Sequence, residues 1–419
     1  MKIALVMPPS EFLENDLAYP PMGLLYIATP LLQAGHEVQI VELGGGIDWR
    51  RKAKNIDADL VGIQCVTPTR PAVEEIARIV RENHPSVPII VGGIHATFLP
   101  EDCLRMPIDA VVLNEADHII RQVVEEVENG ALKQRIYDGG MVPVAQIPKP
   151  CRQLVNLGRY SPGGEKTTPI YTSRGCPFRC AFCTSSKSYR ELPLDRVAEE
   201  VDEVVNTYGF KHILLGDDDV GINQKRVIAI SNLLKPFNIG FRLNQDARVM
   251  KEEACKAAAE AGCTEISWGA ESGSQRMLDA MLKDIKVDQN TEAVRMTQRY
   301  GMQAKAYLIV NFPGETEETV SETLKWAGEA RPDKWLLSAF APLPGSPTWD
   351  HPERWGITWL SRDWGDYYLV GRNGGFKPCF KAPGLDFDRQ VYLHDLMLDG
   401  LKSILGKENQ VIPDQGVCL

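Results

Sequence analysis

The sequence lacks any apolar run long enough to cross a membrane. Its longest apolar runs, such as 88–92 and 213–215, fall far short of the roughly 20 residues that a transmembrane helix needs. The first residues, MKIALVMPPSEF, carry one lysine and a short apolar run that ends at two prolines, unlike a signal peptide. We therefore expect a cytoplasmic protein without a membrane partner.

An excess of basic residues is also missing. The 46 Lys and Arg residues are outnumbered by 56 Asp and Glu residues, which gives a formal charge of −10. This charge repels a phosphate backbone, so nucleic acid is not an expected partner. No segment is long and low in complexity, and 44% of the residues are hydrophobic, so extensive disorder is not expected. A chain of 419 residues is expected to form two or three domains.

Ten cysteines in a cytosolic chain of this size do not predict a disulfide framework, because the compartment is reducing and a large core needs no such crosslinks. Seven of them are scattered along the chain, at positions 65, 103, 151, 255, 263, 379 and 418. The other three, Cys176, Cys180 and Cys183, cluster in RGCPFRCAFCT with the spacing C-x3-C-x2-C. This cluster follows a predicted strand and is the main candidate for chemistry.

Apolar strands alternate with helical segments over residues 1–138. Continuous apolar strands separated by helices predict a parallel sheet with right-handed crossovers, here with five strands. The predicted fold of this part is a doubly wound, Rossmann-like α/β domain. The predicted strands lie in KIALVMPP, HEVQIVEL, DADLVGIQCV, VPIIVGG and IDAVVLNEA.

The rest of the chain divides into three further segments. Residues 139–166 are rich in Pro and Gly and predict a linker. Residues 167–347 contain six strand and helix units, which predict a partial (βα)6 TIM barrel. In residues 348–419, a group of Trp and Tyr residues precedes a final helix at about Phe387 to Leu405. This small C-terminal segment either caps the open end of the barrel near the substrate or seals its bottom by aromatic packing.

The three clustered cysteines favour an iron–sulfur cluster. Thiolates are soft ligands, and three of them leave one iron of a [4Fe–4S] cube open for another ligand. A zinc site needs a fourth Cys or His nearby, but the closest other cysteine is Cys151 and no His lies between His118 and His212. A redox pair of Cys180 and Cys183 would leave Cys176 without a role.

With this motif, residues from about Thr168 to Pro347 resemble the radical S-adenosylmethionine (SAM) superfamily. The resemblance implies that Phe182, before the third cysteine, lies beside the adenine of SAM. It implies that the open iron binds the amino and carboxylate groups of SAM. One electron, from an external donor of the flavodoxin or ferredoxin type, then cleaves SAM to methionine and a 5′-deoxyadenosyl radical.

Several strand ends match the same superfamily. The acidic run 216–219 follows the second barrel strand, where a carboxylate would face the SAM ammonium group, although a helix cap or a turn is an alternative. GAESGSQ matches the fourth-strand signature, and NFPGETEE resembles a Pro-Gly-Glu turn in which Asn311 replaces a more usual glycine. The resemblance implies these SAM-binding candidates: Phe182, Asp217, Asp218, Arg242, Glu271, Ser272 and Tyr307.

Residues from Met1 to about Asn129 resemble the cobalamin-binding domain that precedes many radical SAM modules, notably in YPPMGLLYIATPLLQAGHEVQIVE and IIVGGIHATFLPED. Loops at the carboxyl ends of parallel strands form the crevice for such a ligand. A tight turn at the glycine pair and a structural role of the histidine are the alternatives. The resemblance implies these cobalamin-binding candidates: Pro8, Thr67, Gly92, Gly93, His95 and Glu115.

Two departures from cobalamin-binding domains bear on this assignment. The Asp-x-His-x-x-Gly signature of domains that supply a histidine to cobalt is absent, so any cobalamin would be held without a protein imidazole. In addition, Leu113–Asn114–Glu115–Ala116–Asp117 stands where the subgroup commonly has Gly-Glu-Gly-Glu, which adds bulk beside the proposed crevice.

The resemblance to class B radical SAM methyltransferases implies a C-methyltransferase that acts at an unactivated carbon of a small-molecule metabolite. Its cofactors would be a [4Fe–4S] cluster, SAM and cobalamin. The alternative is a radical SAM cyclase, dehydratase or oxidoreductase that uses cobalamin without methyl transfer or not at all. A methylthiotransferase is less favoured, because Cys65, Cys103 and Cys151 lack the setting of its second cluster motif.

Overall fold

The computed structural model describes residues 1–130, 132–160, 166–249 and 251–411. Two compact units make up the chain: the first is Met1–Ser161 with Asp363–Tyr367, and the second is Pro162–Arg362 with Tyr368–Leu419. Residues 161–165 of the predicted linker and residues 412–419 of the predicted C-terminal segment lie outside the described residues. Among the described helices, none combines the length and the apolar character needed to span a bilayer.

The first unit is built on a sheet of six parallel strands. Its strands are β1 (Lys2–Met7), β2 (Glu37–Glu42), β3 (Leu60–Gln64), β4 (Ile89–Gly92), β5 (Ala110–Leu113) and β6 (Ile136–Asp138). The spatial order is β2-β1-β3-β4-β5-β6. The sequence predicted five of these strands, and β6 was missed because its three residues carry no recognisable apolar period. The order reverses beside β1, which is the arrangement that opens a crevice at the carboxyl edge of such a sheet.

Helices cover both faces of this sheet, as the continuous apolar strands require. Alternate residues of β1 point to opposite faces: Ala4 and Val6 join one hydrophobic core, and Ile3 and Leu5 join the other. The fold is therefore the predicted doubly wound α/β domain. Its helices are α1 (Met22–Gln33), α2 (Trp49–Lys54), α3 (Arg70–Asn83), α4 (Ile94–Phe98), α5 (Pro100–Cys103) and α6 (Ile120–Glu128).

Much of the segment predicted as a linker packs onto the first unit. Val142 and Tyr160 are fully buried. The backbone N–H of Cys151 donates to the carbonyl of Leu25 at 3.0 Å, which ties the segment to α1. Burial of apolar side chains and a satisfied backbone give this Pro-rich stretch a fixed course.

The second unit contains six parallel strands that follow one another in chain order, the topology of the predicted partial barrel. They are β7 (Thr167–Ile170), β10 (His212–Leu215), β11 (Gly240–Gln245), β12 (Cys263–Glu271), β13 (Gln303–Val310) and β14 (Lys334–Ala339), with β7 and β14 at the two edges. Two short antiparallel pairs lie outside this sheet: β8 (Ser173–Arg174) with β9 (Arg190–Glu191), and β15 (Trp359–Leu360) with β16 (Phe380–Lys381).

Helices alternate with the parallel strands of the second unit, and active sites of such barrels lie at the carboxyl ends of the strands. The last helix has the bounds that the sequence predicted. The helices are α7 (Leu194–Asp202), α8 (Gln224–Leu234), α9 (Glu252–Glu260), α10 (Gln275–Ala280), α11 (Val287–Arg299), α12 (Glu317–Ala330), α13 (Pro347–Asp350) and α14 (Phe387–Leu405).

A buried ion cluster lies near the amino ends of the central strands of this unit. The carboxylate of Glu265 accepts hydrogen bonds from the Nζ atoms of Lys305 and Lys334, both at 2.8 Å. Burial alone would raise the pKa of Glu265, but the two lysines outweigh burial and lower it to about 2. The cluster ties β12, β13 and β14 together at the end of the strands opposite to the candidate site.

The aromatic residues of the C-terminal segment do not form a single layer. Trp355 donates through Nε1 to the carbonyl of Ala280 at 3.0 Å, whereas Trp359 is exposed and packs edge-on against Phe387. Trp364 belongs to the short stretch that joins the first unit. The two packing alternatives predicted for this tail therefore do not describe all of its tryptophans.

Candidate active site

The three clustered cysteines lie on one loop between β8 and β9. At its start Gly175 has a φ of +80°, and a Cβ atom there would lie 2.3 Å from the carbonyl oxygen of Ser188. The backbone N–H of Cys176 donates to the carbonyl of Ser186 at 2.8 Å. Only glycine permits this conformation and this close approach, so the glycine before the first cysteine fixes where that cysteine points.

Backbone hydrogen bonds hold the middle of the loop in place. The N–H of Ala181 donates to the carbonyl of Met281 at 2.8 Å, and the carbonyl of Ala181 accepts from the N–H of Thr348 at 3.1 Å. Ala181 lies between the second and third cysteines. The loop is thus anchored on both sides to the rest of the second unit.

The three cysteines line one cavity of about 260 Å³ at the carboxyl ends of the barrel strands. Among the described residues, no group of three or more His, Cys, Asp or Glu side chains has the geometry of a site for a single metal ion. The apolar part of the cavity wall includes Phe178, Phe182, Phe340, Leu343 and Leu369. The polar part includes Asp219, Asn244, Gln245, Asp246, Glu271, Lys283 and Tyr307.

Burial keeps the thiols of Cys176 and Cys183 protonated when no cation faces them. It raises the pKa of the Cys176 thiol to about 12 and also raises that of Cys183. A coordinated thiol loses its proton because the metal charge outweighs burial. The thiols are soft donors on one ordered loop, so they fit a metal–sulfur cluster.

Lys283 is the buried cation of the cavity. Its Nζ atom lies 2.8 Å from Oε1 of Glu271 and 3.0 Å from Oδ2 of Asp246, and its side chain is 5% exposed. Burial lowers the pKa of this ammonium group, but the two carboxylates outweigh burial and hold the pKa above its ordinary value. The flanking Leu282 and Asp284 both have a φ of +53°. These strained conformations direct Lys283 into the cavity wall.

Arg248 connects this ion cluster to the cysteine loop. Its Nε and Nη2 atoms donate to the two carboxylate oxygens of Asp246 at 2.8 and 2.9 Å. The guanidinium carbon lies 3.8 Å from the centre of the Phe178 ring, and Nη2 lies 3.7 Å from Sγ of Cys180. A chain of polar contacts therefore runs from Cys180 through Arg248, Asp246 and Lys283 to Glu271.

Two of the three aspartates after β10 already accept hydrogen bonds from neighbouring side chains. Asp217 accepts hydrogen bonds from the backbone N–H and hydroxyl groups of Thr172 and Ser173, and burial raises its pKa to about 6. It is not among the described residues that line the cavity. Asp218 does line the cavity, but it is exposed and accepts a hydrogen bond from Oγ of Ser185 at 2.7 Å.

The third aspartate, Asp219, lines the cavity and has one carboxylate oxygen without a hydrogen-bond partner among the described residues. Its side chain is nearly fully buried, and Oδ1 accepts from the N–H of Gly221 at 2.8 Å. The other oxygen, Oδ2, has no hydrogen-bond partner among the described residues. Burial raises the pKa of Asp219 to about 7, and the nearby Asp246 carboxylate adds to that rise. A cationic ligand would therefore be favourable beside Oδ2.

The remaining predicted SAM-binding residues divide into two groups. Phe182, Glu271 and Tyr307 line the cavity, whereas Arg242 and Ser272 are not among the described residues that do so. The hydroxyl of Ser272 is 2.9 Å from that of Thr323 and supports the turn after β12. The hydroxyl of Tyr307 donates to Oδ1 of Asn244 at 3.4 Å.

Besides Asp219, sequence reasoning did not select four further polar residues that belong to the site. Asp246 and Arg248 directly follow β11, in a position that marks them as candidates once that strand end is placed at the site. Gln245 lines the cavity with a buried side-chain amide that has no hydrogen-bond partner among the described residues. Lys283 lies twelve residues beyond β12, and no local sequence pattern marks it as a residue of the site.

The predicted cobalamin-binding residues lie along the carboxyl edge of the sheet of the first unit. Pro8 follows β1, Thr67 follows β3, Gly92 ends β4 and Gly93 follows it, and Glu115 follows β5. A Cβ atom on Gly93 would lie 2.7 Å from the carbonyl oxygen of Cys65, and the φ of Gly93 is +106°. Close backbone approach at β3 therefore already requires Gly93, whatever else binds there.

His95 is fully buried and held by its neighbours. Its Nδ1 atom lies 3.3 Å from Oγ1 of Thr67, and its Nε2 atom lies 3.3 Å from Oδ2 of Asp102. The ring of Trp364 packs edge-on with a centroid distance of 5.0 Å. Both ring nitrogens are engaged, so the geometry favours a structural role for this histidine over a ligand contact.

Comparisons with known proteins connect both units to families. The Radical SAM superfamily matches residues 170–327, and the B12 binding domain matches residues 15–124. An uncharacterized methyltransferase of Pyrococcus horikoshii is 32% identical over 400 residues, which cover 88% of this chain and 87% of the relative. An anaerobic magnesium-protoporphyrin IX monomethyl ester cyclase of Cereibacter sphaeroides is 27% identical over 365 residues, which cover 79% of this chain and 60% of the relative.

A solved structure shows the same fold. It is that of the radical S-adenosylmethionine methyltransferase TsrM from Kitasatospora setae, with cobalamin and a [4Fe-4S] cluster bound. The match has a TM-score of 0.76 at 16% sequence identity and covers 100% of this chain and 92% of TsrM. Both resemblances that the sequence suggested are confirmed. The chain belongs to the radical SAM superfamily, in the group whose members carry an amino-terminal B12-binding domain.

Proposed function

We propose that this protein is a cobalamin-dependent radical SAM methyltransferase that acts at an unactivated carbon of a small-molecule substrate. The observation that carries the proposal is one cavity lined by three cysteines of a single loop and by carboxylates at the ends of successive strands. Thiolates suit iron and sulfide, and carboxylates suit the cationic end of SAM. The family membership supports the same assignment.

Cys176, Cys180 and Cys183 would hold the [4Fe–4S] cluster, and loops at the carboxyl edge of the first unit would hold cobalamin. The chemistry supplied when these groups are bound is one-electron cleavage of SAM at the cluster and methyl delivery from cobalamin. The chain itself binds, orients and excludes water, because the cofactors carry the difficult chemistry. A small electron-transfer protein of the flavodoxin or ferredoxin type would supply the electron.

Two carboxylates and one aromatic ring of the cavity would hold SAM. Asp219 offers its free Oδ2 to the SAM ammonium group, in place of the buried Asp217. Glu271 is fixed through Oε1 by Lys283, which leaves Oε2 to accept from the ribose hydroxyls. Phe182 supplies an apolar surface for the adenine. Asp217 and Ser272 would act indirectly, by shaping the turns that place these neighbours.

The proposed contacts of cobalamin lie at the edge where ligands of doubly wound sheets bind. They are Pro8, Thr67, Gly92, Gly93 and Glu115. His95 supports Thr67 and leaves no ring nitrogen for cobalt. Cobalamin would therefore be held without a protein imidazole, which agrees with the missing Asp-x-His-x-x-Gly signature.

The relatives support methyl transfer and also favour one alternative. The relative from Pyrococcus horikoshii carries the name of a methyltransferase and matches nearly the whole chain. The similarity to the Cereibacter sphaeroides cyclase favours a ring-forming radical reaction as the second candidate. Product analysis separates them: a methyl gain with S-adenosylhomocysteine supports methyl transfer, and 5′-deoxyadenosine without methyl transfer supports the alternative.

A cytoplasmic location is part of the same proposal. Seven of the nine cysteines among the described residues are buried. A chain with many cysteine thiols and a proposed metal–sulfur cluster suits a reducing compartment.

SAM cleavage by the anaerobically reconstituted full chain tests the proposed function. Under dithionite, we expect the wild type to form 5′-deoxyadenosine and Cys176→Ala to remain at the level of the protein-free control, because the variant lacks one thiolate. Cys379→Ala is the matched control, since Cys379 is a buried cysteine outside the cavity lining. Equal cleavage by Cys176→Ala and the wild type would overturn the proposal.

A further inference from the structure

Arg248 lies between the cysteine loop and the ion cluster and contacts the sulfur of Cys180. Its Nη2 atom lies 3.7 Å from Sγ of Cys180, within the range of an N–H to sulfur hydrogen bond. Cys180 is buried, so water screens this contact little. An arginine keeps its positive charge at all relevant pH values.

We propose that Arg248 is a positioning residue that raises the reduction potential of the cluster by donating a hydrogen bond to the thiolate of Cys180. The inference rests on the proposed function, since it assumes that the three cysteines hold a [4Fe–4S] cluster. Hydrogen bonds to cluster sulfurs and nearby charge are among the factors that set such potentials.

The direction of the effect follows from charge. Reduction adds one electron from an external donor to the cluster and its thiolates, and no bond forms or breaks in that step. A positive hydrogen-bond donor stabilises the more negative, reduced state more than the oxidised state. Loss of Arg248 should therefore make the cluster harder to reduce.

The surroundings of Arg248 fix its geometry. Both oxygens of Asp246 bind the guanidinium group in a two-point contact, and the plane lies over the ring of Phe178. This arrangement leaves Nη2 directed at the sulfur. Asp246 in turn contacts Lys283, so it carries less free negative charge against the arginine than an isolated carboxylate would.

A lysine cannot reproduce this geometry. Arg248 holds both oxygens of Asp246 through Nε and Nη2 while Nη2 also reaches Cys180, whereas a lysine has a single nitrogen and cannot make the two-point contact that directs Nη2 at the sulfur. Arg248→Lys thus retains the charge in the region but should lose the bond to sulfur. Arg248→Gln removes both the charge and the two-point contact.

The test is a redox titration of the reconstituted full chain, followed by electron paramagnetic resonance, for the wild type, Arg248→Gln and Arg248→Lys. We expect the equilibrium constant for reduction to fall about tenfold in Arg248→Gln, a shift of about 59 mV to more negative potential. Arg248→Lys should shift in the same direction by less. Arg299→Gln is the matched control, because Arg299 is an exposed arginine that also binds two carboxylates, Glu252 and Glu292.

Hyperfine spectroscopy of the reduced cluster gives a second reading, which applies even if Arg248→Gln loads poorly. Spectra recorded in H₂O and D₂O identify exchangeable protons close to the cluster. We expect one such proton near a cluster sulfur in the wild type and none in Arg248→Lys. If the loaded clusters of both variants keep the potential and this proton signal of the wild type, the role of Arg248 is purely structural and the inference is wrong. If the wild type itself forms no [4Fe–4S] cluster, the proposed function fails first.

Discussion

Replacement of Lys283 by methionine should destabilise the second unit strongly. Methionine has nearly the length of lysine and no charge, so it fills the space but leaves Glu271 and Asp246 without their shared buried cation. Breaking a buried ion pair from one side costs about 3–5 kcal/mol. For a domain of this size that loss lowers Tm by roughly 6–20 °C.

The pH dependence of this variant follows from the same contacts. Burial raises the pKa of Asp246, but Lys283 and Arg248 together outweigh burial and lower it in the wild type. Without the ammonium group, only Arg248 opposes burial, so the ionised carboxylate of Asp246 stabilises the fold less, and this penalty shrinks as the pH falls and Asp246 takes up a proton. The Tm difference between wild type and variant should therefore be smaller at about pH 5 than at about pH 8.

Thermal unfolding of the full chain, followed by circular dichroism, measures both effects. Lys325→Met is the matched control, because Lys325 is 78% exposed and lies 3.9 Å from Glu329 in a surface pair. Removal of such a pair costs less than about 1 kcal/mol. If Lys283→Met unfolds at the same temperature as Lys325→Met at both pH values, the buried ion cluster does not have the importance argued above.

Two further predictions concern the cysteine loop and the barrel. Gly175→Ala should abolish iron and sulfide loading, because the new Cβ atom would lie 2.3 Å from the carbonyl oxygen of Ser188 and displace the cysteine loop. The circular dichroism spectrum should stay that of the wild type. An iron content equal to that of the wild type would contradict this prediction. Glu265→Gln should cost about 3–5 kcal/mol near neutral pH, since two lysines lose their buried carboxylate. The pKa of Glu265 is about 2 in the fold and ordinarily 4.5, so the contribution of ionised Glu265 to the free energy of unfolding fades as the pH falls below about 4.5. A Tm difference between wild type and variant that widens below this pH would contradict the role given to Glu265.

The sequence predicted most of the fold because buried parallel strands are continuous apolar runs. Most of the barrel strands and five of the six strands in the first unit carry this signal, whereas β11 (GFRLNQ) alternates apolar and polar residues. The short pairs β8 with β9 and β15 with β16 span two residues each and offer no period to detect. The motif of the three cysteines could be recognised from the sequence because its chemistry depends on local spacing.

The site residues were harder to predict because they meet only through the fold. Lys283 reaches Glu271 and Asp246 from a loop whose course depends on two residues in left-handed conformations. Among the three aspartates after β10, neighbours decide which one keeps a free oxygen, and Asp219 was not selected. Such choices depend on tertiary contacts that no local pattern records.

The substitutions of glycine by asparagine can now be explained. Asn311 has a φ of +68° and Asn114 a φ of +59°, both in the left-handed region. Asparagine adopts this region more readily than other residues with a side chain. The chain therefore keeps the backbone conformation of a glycine at both strand ends. Beside the crevice of the first unit, Asn114 adds a side chain but does not change the backbone conformation.

The central claim is that three cysteines bind a [4Fe–4S] cluster and leave one iron open for SAM. Mössbauer spectroscopy of the ⁵⁷Fe-reconstituted full chain, with and without SAM, tests it most directly. The account predicts about four irons per chain and one iron site whose spectrum changes when SAM is added. A spectrum with four equivalent thiolate-bound irons that ignores SAM, or protein that retains tetrahedral zinc instead, would contradict it.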